Sequence, residues 1–350
     1  ITNEAGATLS GSSFGVFFTG GSGTVTNAGT ISGATDAIDF LASGANRLVV
    51  DPGAVFVGKV TAAGSTNTLE LASGTGSISG VGTASFSNFQ TLTVDAGANW
   101  TLGGTNNTPN VLDNGVVNVA GTFDISSAIN PSSTGLFQLQ TGATLEVAAA
   151  SGTRTRVNFS GSSELIVDHA ASFGTNVGTS SYAGTQLQHF VSGDRIDLKS
   201  FSSAGVTLAY NSSTGVLQVS NGARQVASLD FQTSSLGSGT FNATGDGGTG
   251  ILITRAPSVA AAAVSSITTP STAITDPSAM TTSPSSAPPA LGLTNTSSGT
   301  PIIRLAALFD QFVAAGFHGD QAGAGQIAST PQAQSGLEDL AFLSKPHHSG

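Results

Sequence analysis

Cysteine is absent from the sequence, which excludes disulfides, thiolate metal sites and a cysteine nucleophile. Charge is scarce too. Only 9% of the 350 residues are Asp, Glu, Lys or Arg, against about 25% in an ordinary soluble domain. The net charge is -10, and no basic cluster is longer than Arg154 and Arg156 around Thr155. A phosphate backbone therefore finds no electrostatic footprint, and nucleic acid is not an expected partner. No apolar run approaches the roughly 18 residues of a membrane helix, so no transmembrane helix is expected. The amino end also lacks the basic and apolar regions of a signal peptide. Ile1 instead opens inside a repeat, and the expectation is a carboxy-terminal piece of a longer chain.

What the sequence does hold is glycine, 46 residues of it, with Ser, Thr and Asn making up most of the polar remainder. Apolar residues are 39% of the chain and recur at even intervals, enough to bury a core. A small residue recurs after an extended segment at Gly6, Gly29, Gly53, Gly74, Gly97, Gly121, Gly142 and Ala170, with separations of 23, 24, 21, 23, 24, 21 and 28. Each is followed by Ala or Thr and then by a large apolar residue, as in Ala54 with Phe56 or Ala98 with Trp100. The residues before these positions alternate in strand fashion, as in Leu48, Val49 and Val50 or Leu92, Thr93 and Val94. Glycine suits the intervening turn because a positive φ costs it nothing.

A unit of about 21 to 24 residues is too short for a βαβ crossover, which takes roughly 30 or more, and this one carries no helical period. It matches one coil of a right-handed parallel β-helix, an all-β solenoid. One coil cannot bury enough surface to stand alone, so the units must come in arrays that pair every strand with a neighbour. The first two units, ITNEAGATLSG and VTNAGTISG, are close copies that place Asn3 and Asn27 alike. Asn at such a turn is expected to form a step of an internal amide ladder.

These patterns divide the chain. Residues 1–185 read as solenoid repeats, and residues 186–256 as a β-rich module that continues or caps them, with hairpin signals at Ser213, Thr214 and Gly215 and at Asn221 and Gly222. Residues 257–300 are rich in Ala, Ser, Thr and Pro and read as a disordered linker. Within 301–317, Ile302, Leu305, Phe309, Phe312 and Val313 fall on one helical face, and residues 318–350 read as a mostly disordered tail.

VTNAGTISG followed by AIDF, then LVVDPGAVFVGKV, LELASGTGSISGVG and FQTLTVDAGANWTLGG, resembles the passenger repeats of large alphaproteobacterial autotransporter-like surface proteins, the beta strand repeat-containing proteins. HFVSGDRIDL, with Tyr210, Phe241 and the DGGT at 246–249, resembles a carboxy-terminal module of the same proteins. The resemblance spans about residues 1–254. It implies an extended extracellular or cell-surface β-helix, usually regarded as adhesive, whose partners are host or bacterial surface glycans or proteins and the outer-membrane export machinery. The chain departs from that pattern at its end, which lacks the alternating strands and terminal aromatic of a translocating barrel.

Many β-helices process polysaccharides, so a lyase or hydrolase is one alternative expectation, and a calcium-stabilised secreted repeat module is the other. Glycoside hydrolysis needs two carboxylates about 5 to 10 Å apart. Asp51, Asp95 and Asp168 each follow a Leu-x-Val strand and form one apparent column, interrupted by Ala72, Ala120 and Gln140. Such spacing is too sparse for a dense metal site, and a turn role is expected for each. Asp194, Arg195 and Asp197 form the densest charged group, which the Asp246 turn could approach. Asp194, Asp197 and Asp246 are the calcium candidates, since hard oxygen ligands suit that ion, although the repeat GGxGxD is absent. No other cofactor is expected, and no catalytic residue is assigned. His169 and His189 are too few for a zinc site, and no phosphate loop occurs.

Overall fold

In the computed structural model, residues 1–41, 43–150, 154–236 and 239–257 are described. The chain is all-β, built of stacked parallel coils. The predicted linker, helix and tail lie outside the described residues, apart from Pro257, which ends the strand Ile251–Pro257.

Each coil contributes strands to separate walls. On the first wall Thr24–Asn27, Arg47–Val50, Thr68–Leu71 and Thr91–Val94 pair in parallel, followed by the last residues of Thr105–Asp113. Val25, Leu48, Leu69, Leu92 and Val111 lie in register there, and Ile129, Ala150 and Phe173 extend the row. All eight point inward and are buried. Stacking like on like at the roughly 4.8 Å strand spacing fills the core while every inner strand hydrogen-bonds both neighbours.

The second wall runs from Gly74–Ser79 through Ala98–Gly103, Val116–Val119, Leu136–Leu139 and Arg156–Phe159 to Gln186–Gln188. The third uses the start of Thr105–Asp113, then Thr122–Ile129, Thr144–Val147, Glu164–Val167 and Arg195–Leu198. Toward the amino end these two walls are replaced by one five-stranded sheet around the long strands Thr30–Phe40 and Val55–Ala62.

The coils are more uneven in length than the glycine spacing predicts. Leu92, Val111 and Ile129 are neighbours in register, yet each step between them is shorter than the shortest separation in the glycine series. Thr105–Asp113 and Thr122–Ile129 each pass from the third wall to the first while staying extended, so no residues are used in a turn. Trp100 is the largest fully buried side chain among the described residues. Its ring covers Gly76 on the preceding coil, where a Cβ would lie 2.7 Å from it, and its indole N–H donates to Ala72 O at 2.8 Å.

Parallel pairing continues past residue 185, to Arg195–Leu198 on the third wall and to Val226–Phe231 on the second, before antiparallel strands take over. Ile251–Pro257 pairs antiparallel with Arg195–Leu198 and then with Gly239–Gly245. On the second wall Val226–Phe231 joins Gln186–Gln188, and Val216–Ser220 and Thr207–Asn211 follow as an antiparallel meander. Both hairpin signals fall in its turns, with Gly215 at φ 80°. Phe190, Phe231, Phe241 and Tyr210 close the core beneath these strands.

Candidate functional site

The amide ladder is present at the first corner. Asn3 Nδ2 donates to Asn27 Oδ1 at 2.8 Å, and Asn27 Oδ1 also accepts from Gly29 N at 3.2 Å. A second ladder was not foreseen. Asn46 Nδ2 donates to Asn67 Oδ1 at 3.0 Å, and Asn67 N donates to Gln90 Oε1 at 2.8 Å. Its signal was in the sequence, since Asn46, Asn67 and Gln90 each stand one residue before a first-wall strand, in NRLVV, NTLEL and QTLTV.

The glycine column is three partial columns. Gly6, Gly29, Gly53, Gly74 and Gly97 lie at the corner that leaves the first wall, whereas Gly121 and Gly142 precede third-wall strands and Ala170 follows one. Gly6, Gly53, Gly74, Gly97 and Gly142 have positive φ. Gly29 and Gly121 do not. They are held by space, since a Cβ would stand 2.3 Å from Ala7 O at Gly29 and 2.1 Å from Gly104 O at Gly121.

The aspartate column divides in the same way. Asp51 and Asp95 share the first corner, where their backbone carbonyls accept N–H bonds from Ala54 and Ala98 at 3.1 and 3.0 Å. The turn bonds there run through the main chain rather than through the side chains expected to supply them. Burial, then Glu70, raises the Asp95 pKa. Asp168 belongs to another corner, beyond the third wall, and is paired with Lys199 at 3.2 Å.

The calcium candidates also part company. Asp194 is fully buried, with Oδ1 accepting from Ser163 N at 3.1 Å and Oδ2 from Val191 N at 2.9 Å. It is a turn acceptor inside the coil. Asp197 alternates to the outside of the third wall, near Asp246, whose carboxylate accepts from Gly248 N and Gly250 N at 2.6 and 3.1 Å. Among the described residues no group of three or more His, Asp or Glu forms a metal site.

What gathers on the outside of the third wall is an acidic row held together by Lys199. Asp124, Glu146, Ile166 and Asp197 occupy successive rungs, and Lys199 bonds both Glu146 and Asp168. The bond to Glu146, with Asp168 adding to it, raises the Lys199 pKa and keeps the ammonium charged. Lys199 is thus a counter-ion and not a base. Burial, reinforced by Asp246 and Glu164, pushes Asp197 up to about 6, and its Oδ1 is buried without a hydrogen-bond partner. Burial and then Asp168 raise Asp124. Beside this row lies a cavity of about 490 Å³ lined by Asp168, His169, Lys199, Phe201 and Arg224 among others.

No protein-family model matches this chain, and no curated protein matches it. The site is accordingly read from its own geometry.

A further buried acid escaped notice in the sequence. Asp113 sits on the inward phase of its strand, in register with Val94, and is fully buried. Its Oδ1 accepts from Gly115 N at 3.0 Å, as Asn27 does from Gly29, but Oδ2 has no partner. Burial raises its pKa to about 7, opposed by the Gly115 bond and by Arg156.

Proposed function

We propose that this chain is a structural and adhesive segment of a bacterial surface protein, acting by display and not by catalysis. The observation that carries this reading is the outer surface of the stack: on consecutive rungs of the second wall the outward side chains are mostly hydroxyl and amide. A stack of coils that repeats a row of neutral polar side chains suits many weak contacts made in parallel. The similarity of its repeats to autotransporter-like passengers supports an extracellular or cell-surface setting. Purified protein is expected to bind host or bacterial surfaces, and loss of the gene to reduce attachment. Unchanged attachment would remove the adhesive part of the proposal.

One observation favours a glycan-active enzyme as the second reading. Glu146 and Asp197 stand two rungs apart, about 10 Å along the wall at the usual strand spacing, near the upper limit for an inverting carboxylate pair. Asp197, titrating near 6, holds its proton in the range where a general acid works. Release of reducing ends or unsaturated products from a polysaccharide panel tests this reading, with Asp197→Asn as the control. On the adhesive reading no product forms. Turnover that disappears in the variant would establish catalysis instead.

A further inference from the structure

The second wall carries a row of side chains unlike any other among the described residues. Ser77, Thr101, Asn118, Gln138, Asn158 and Gln188 face outward at the same register position on consecutive rungs. Each is a hydroxyl or an amide, and none is charged or apolar. The equivalent row on the third wall holds Asp124, Glu146 and Asp197, so neutrality belongs to this row and not to the coil as such, and the charged Arg156 stands beside it at the adjoining register position.

The row is also held in place. Asn158 Nδ2 donates to Gln138 Oε1 at 2.7 Å, Asn118 Nδ2 to Asn99 Oδ1 at 2.7 Å, and Gln188 Nε2 to Gln186 Oε1 at 2.9 Å. Gln138 Nε2 bonds Ser160 Oγ, and His189 Nδ1 lies 2.6 Å from Asn158 Oδ1. These contacts use only part of each amide's donor and acceptor capacity. The remainder faces solvent in fixed directions, so little side-chain entropy is lost when a ligand binds. The adjoining register position holds half-buried Val116 and Leu136 on neighbouring rungs, between Asn99 on one side and Arg156 and Gln186 on the other, giving a two-rung apolar patch beside the polar row.

We infer that this wall binds an extended neutral polysaccharide lying along the solenoid axis. Sugar hydroxyls, which both donate and accept, complement amides and hydroxyls that do the same, and the C–H faces of the rings complement Val116 and Leu136. Charge separates this ligand from the alternatives. A polyanion meets a chain of net charge -10, and a polycation finds its partners on the third wall. A protein partner would call for buried aromatic or Arg anchors at the centre of the contact, and the row supplies none. Successive rungs lie roughly 4.8 Å apart, so the contact repeats along the polymer. No aromatic platform strengthens any single rung, and affinity must come from the number of rungs engaged.

This inference specifies the ligand of the adhesive reading and rests on it. The test uses the full chain and titrates the hexaoses and disaccharides of β-1,4-glucan, β-1,4-mannan and β-1,4-xylan, with hexagalacturonate as the anionic probe. At least one neutral hexaose is expected to bind ten times more tightly than its disaccharide, and hexagalacturonate more weakly than either. Gln138→Ala with Asn158→Ala should weaken the hexaose at least tenfold with an unchanged fold by circular dichroism, while Thr93→Ala on the first wall leaves binding as it was. If that double variant melts early, Thr101→Ala with Asn118→Ala replaces it on the same row. Binding of no neutral hexaose, equal affinity for disaccharide and hexaose, or full binding by a folded row variant overturns the inference. Attachment of the same proteins to surfaces is measured in parallel. Wild-type attachment that the row variants leave intact defeats this wall alone, whereas absence of wild-type attachment defeats the adhesive reading itself.

Discussion

Asp113→Asn is expected to stabilise the solenoid, and to do so more strongly as the pH rises. Asp113 is fully buried, and its pKa is raised from 3.8 to about 7, so the folded state favours the protonated acid. The sign follows from linkage. A carboxyl raised on folding contributes stability that is fully present below its unfolded pKa near 4 and is lost as pH climbs through the folded value. A shift of about three pH units corresponds to a ceiling of about 4 kcal/mol between acid and mildly alkaline conditions, at about 1.4 kcal/mol per unit. Asparagine has the shape of the protonated acid and no charge to desolvate. At about pH 3 the variant and wild type should therefore unfold at nearly the same denaturant concentration, and at about pH 8 the variant should be more stable by several kcal/mol. The Gly115 N–H bond to Oδ1 is available to the amide oxygen, as it is at Asn27. A stability difference that stays flat with pH, or that reverses, would show that Asp113 is ionised and compensated within the fold.

The sequence read well wherever alternation alone determines structure. Leu48, Leu69 and Leu92 stand in register on adjacent coils because each strand presents its β-branched and Leu residues to the same side, and the tight spacing leaves room for nothing except β-turns. What one strand could not disclose was which wall it belonged to. LTVD at Asp95 and LIVD at Asp168 look alike, yet the first precedes the second wall and the second leaves the third. All inner walls ask for the same apolar alternation, and the two short coils between Leu92 and Ile129 shift the phase between them.

The same reasoning explains which site residues were missed. Grouping by the preceding Leu-x-Val strand put Asp51, Asp95 and Asp168 together and left Glu146 and Lys199 apart, although Lys199 joins Glu146 and Asp168 across the coils. Contacts of this kind depend on register between positions on different coils, which a repeat of variable length conceals. Asp113 was recoverable in principle. Counting by twos from Val111 places it on the buried face, and an acid on that phase signals a shifted pKa. Parity within one strand therefore locates buried polar groups, whereas outward pairing needs the whole stack.

Phe190→Ala is expected to cost about 3 to 5 kcal/mol, the usual range for removing a buried phenylalanine side chain, and to act at one end of the molecule. Phe190 is fully buried. Its ring centroid lies 5.1 Å from Phe159 in the last regular coils, 5.4 Å from Phe231 and 6.3 Å from Phe241 in the antiparallel strands. It therefore joins the stack to the module that closes it. Because each coil touches only its neighbours, stability in such a stack is a sum of local terms, and a lesion at the cap need not spread to Leu48 or Leu69. Hydrogen exchange should show faster opening across Arg195–Leu198, Val226–Phe231 and Ile251–Pro257, with protection retained across Arg47–Val50 and Thr68–Leu71. Released from the cap, Arg195–Leu198 becomes an open parallel edge able to pair with another chain, so the variant should also associate at concentrations where the wild type does not. Phe190→Leu, which keeps most of the volume, should lose less than half as much stability. A loss under about 1 kcal/mol, well below the range for such a truncation, or exchange that accelerates uniformly from end to end, would mean that the aromatic cluster is not what closes the stack.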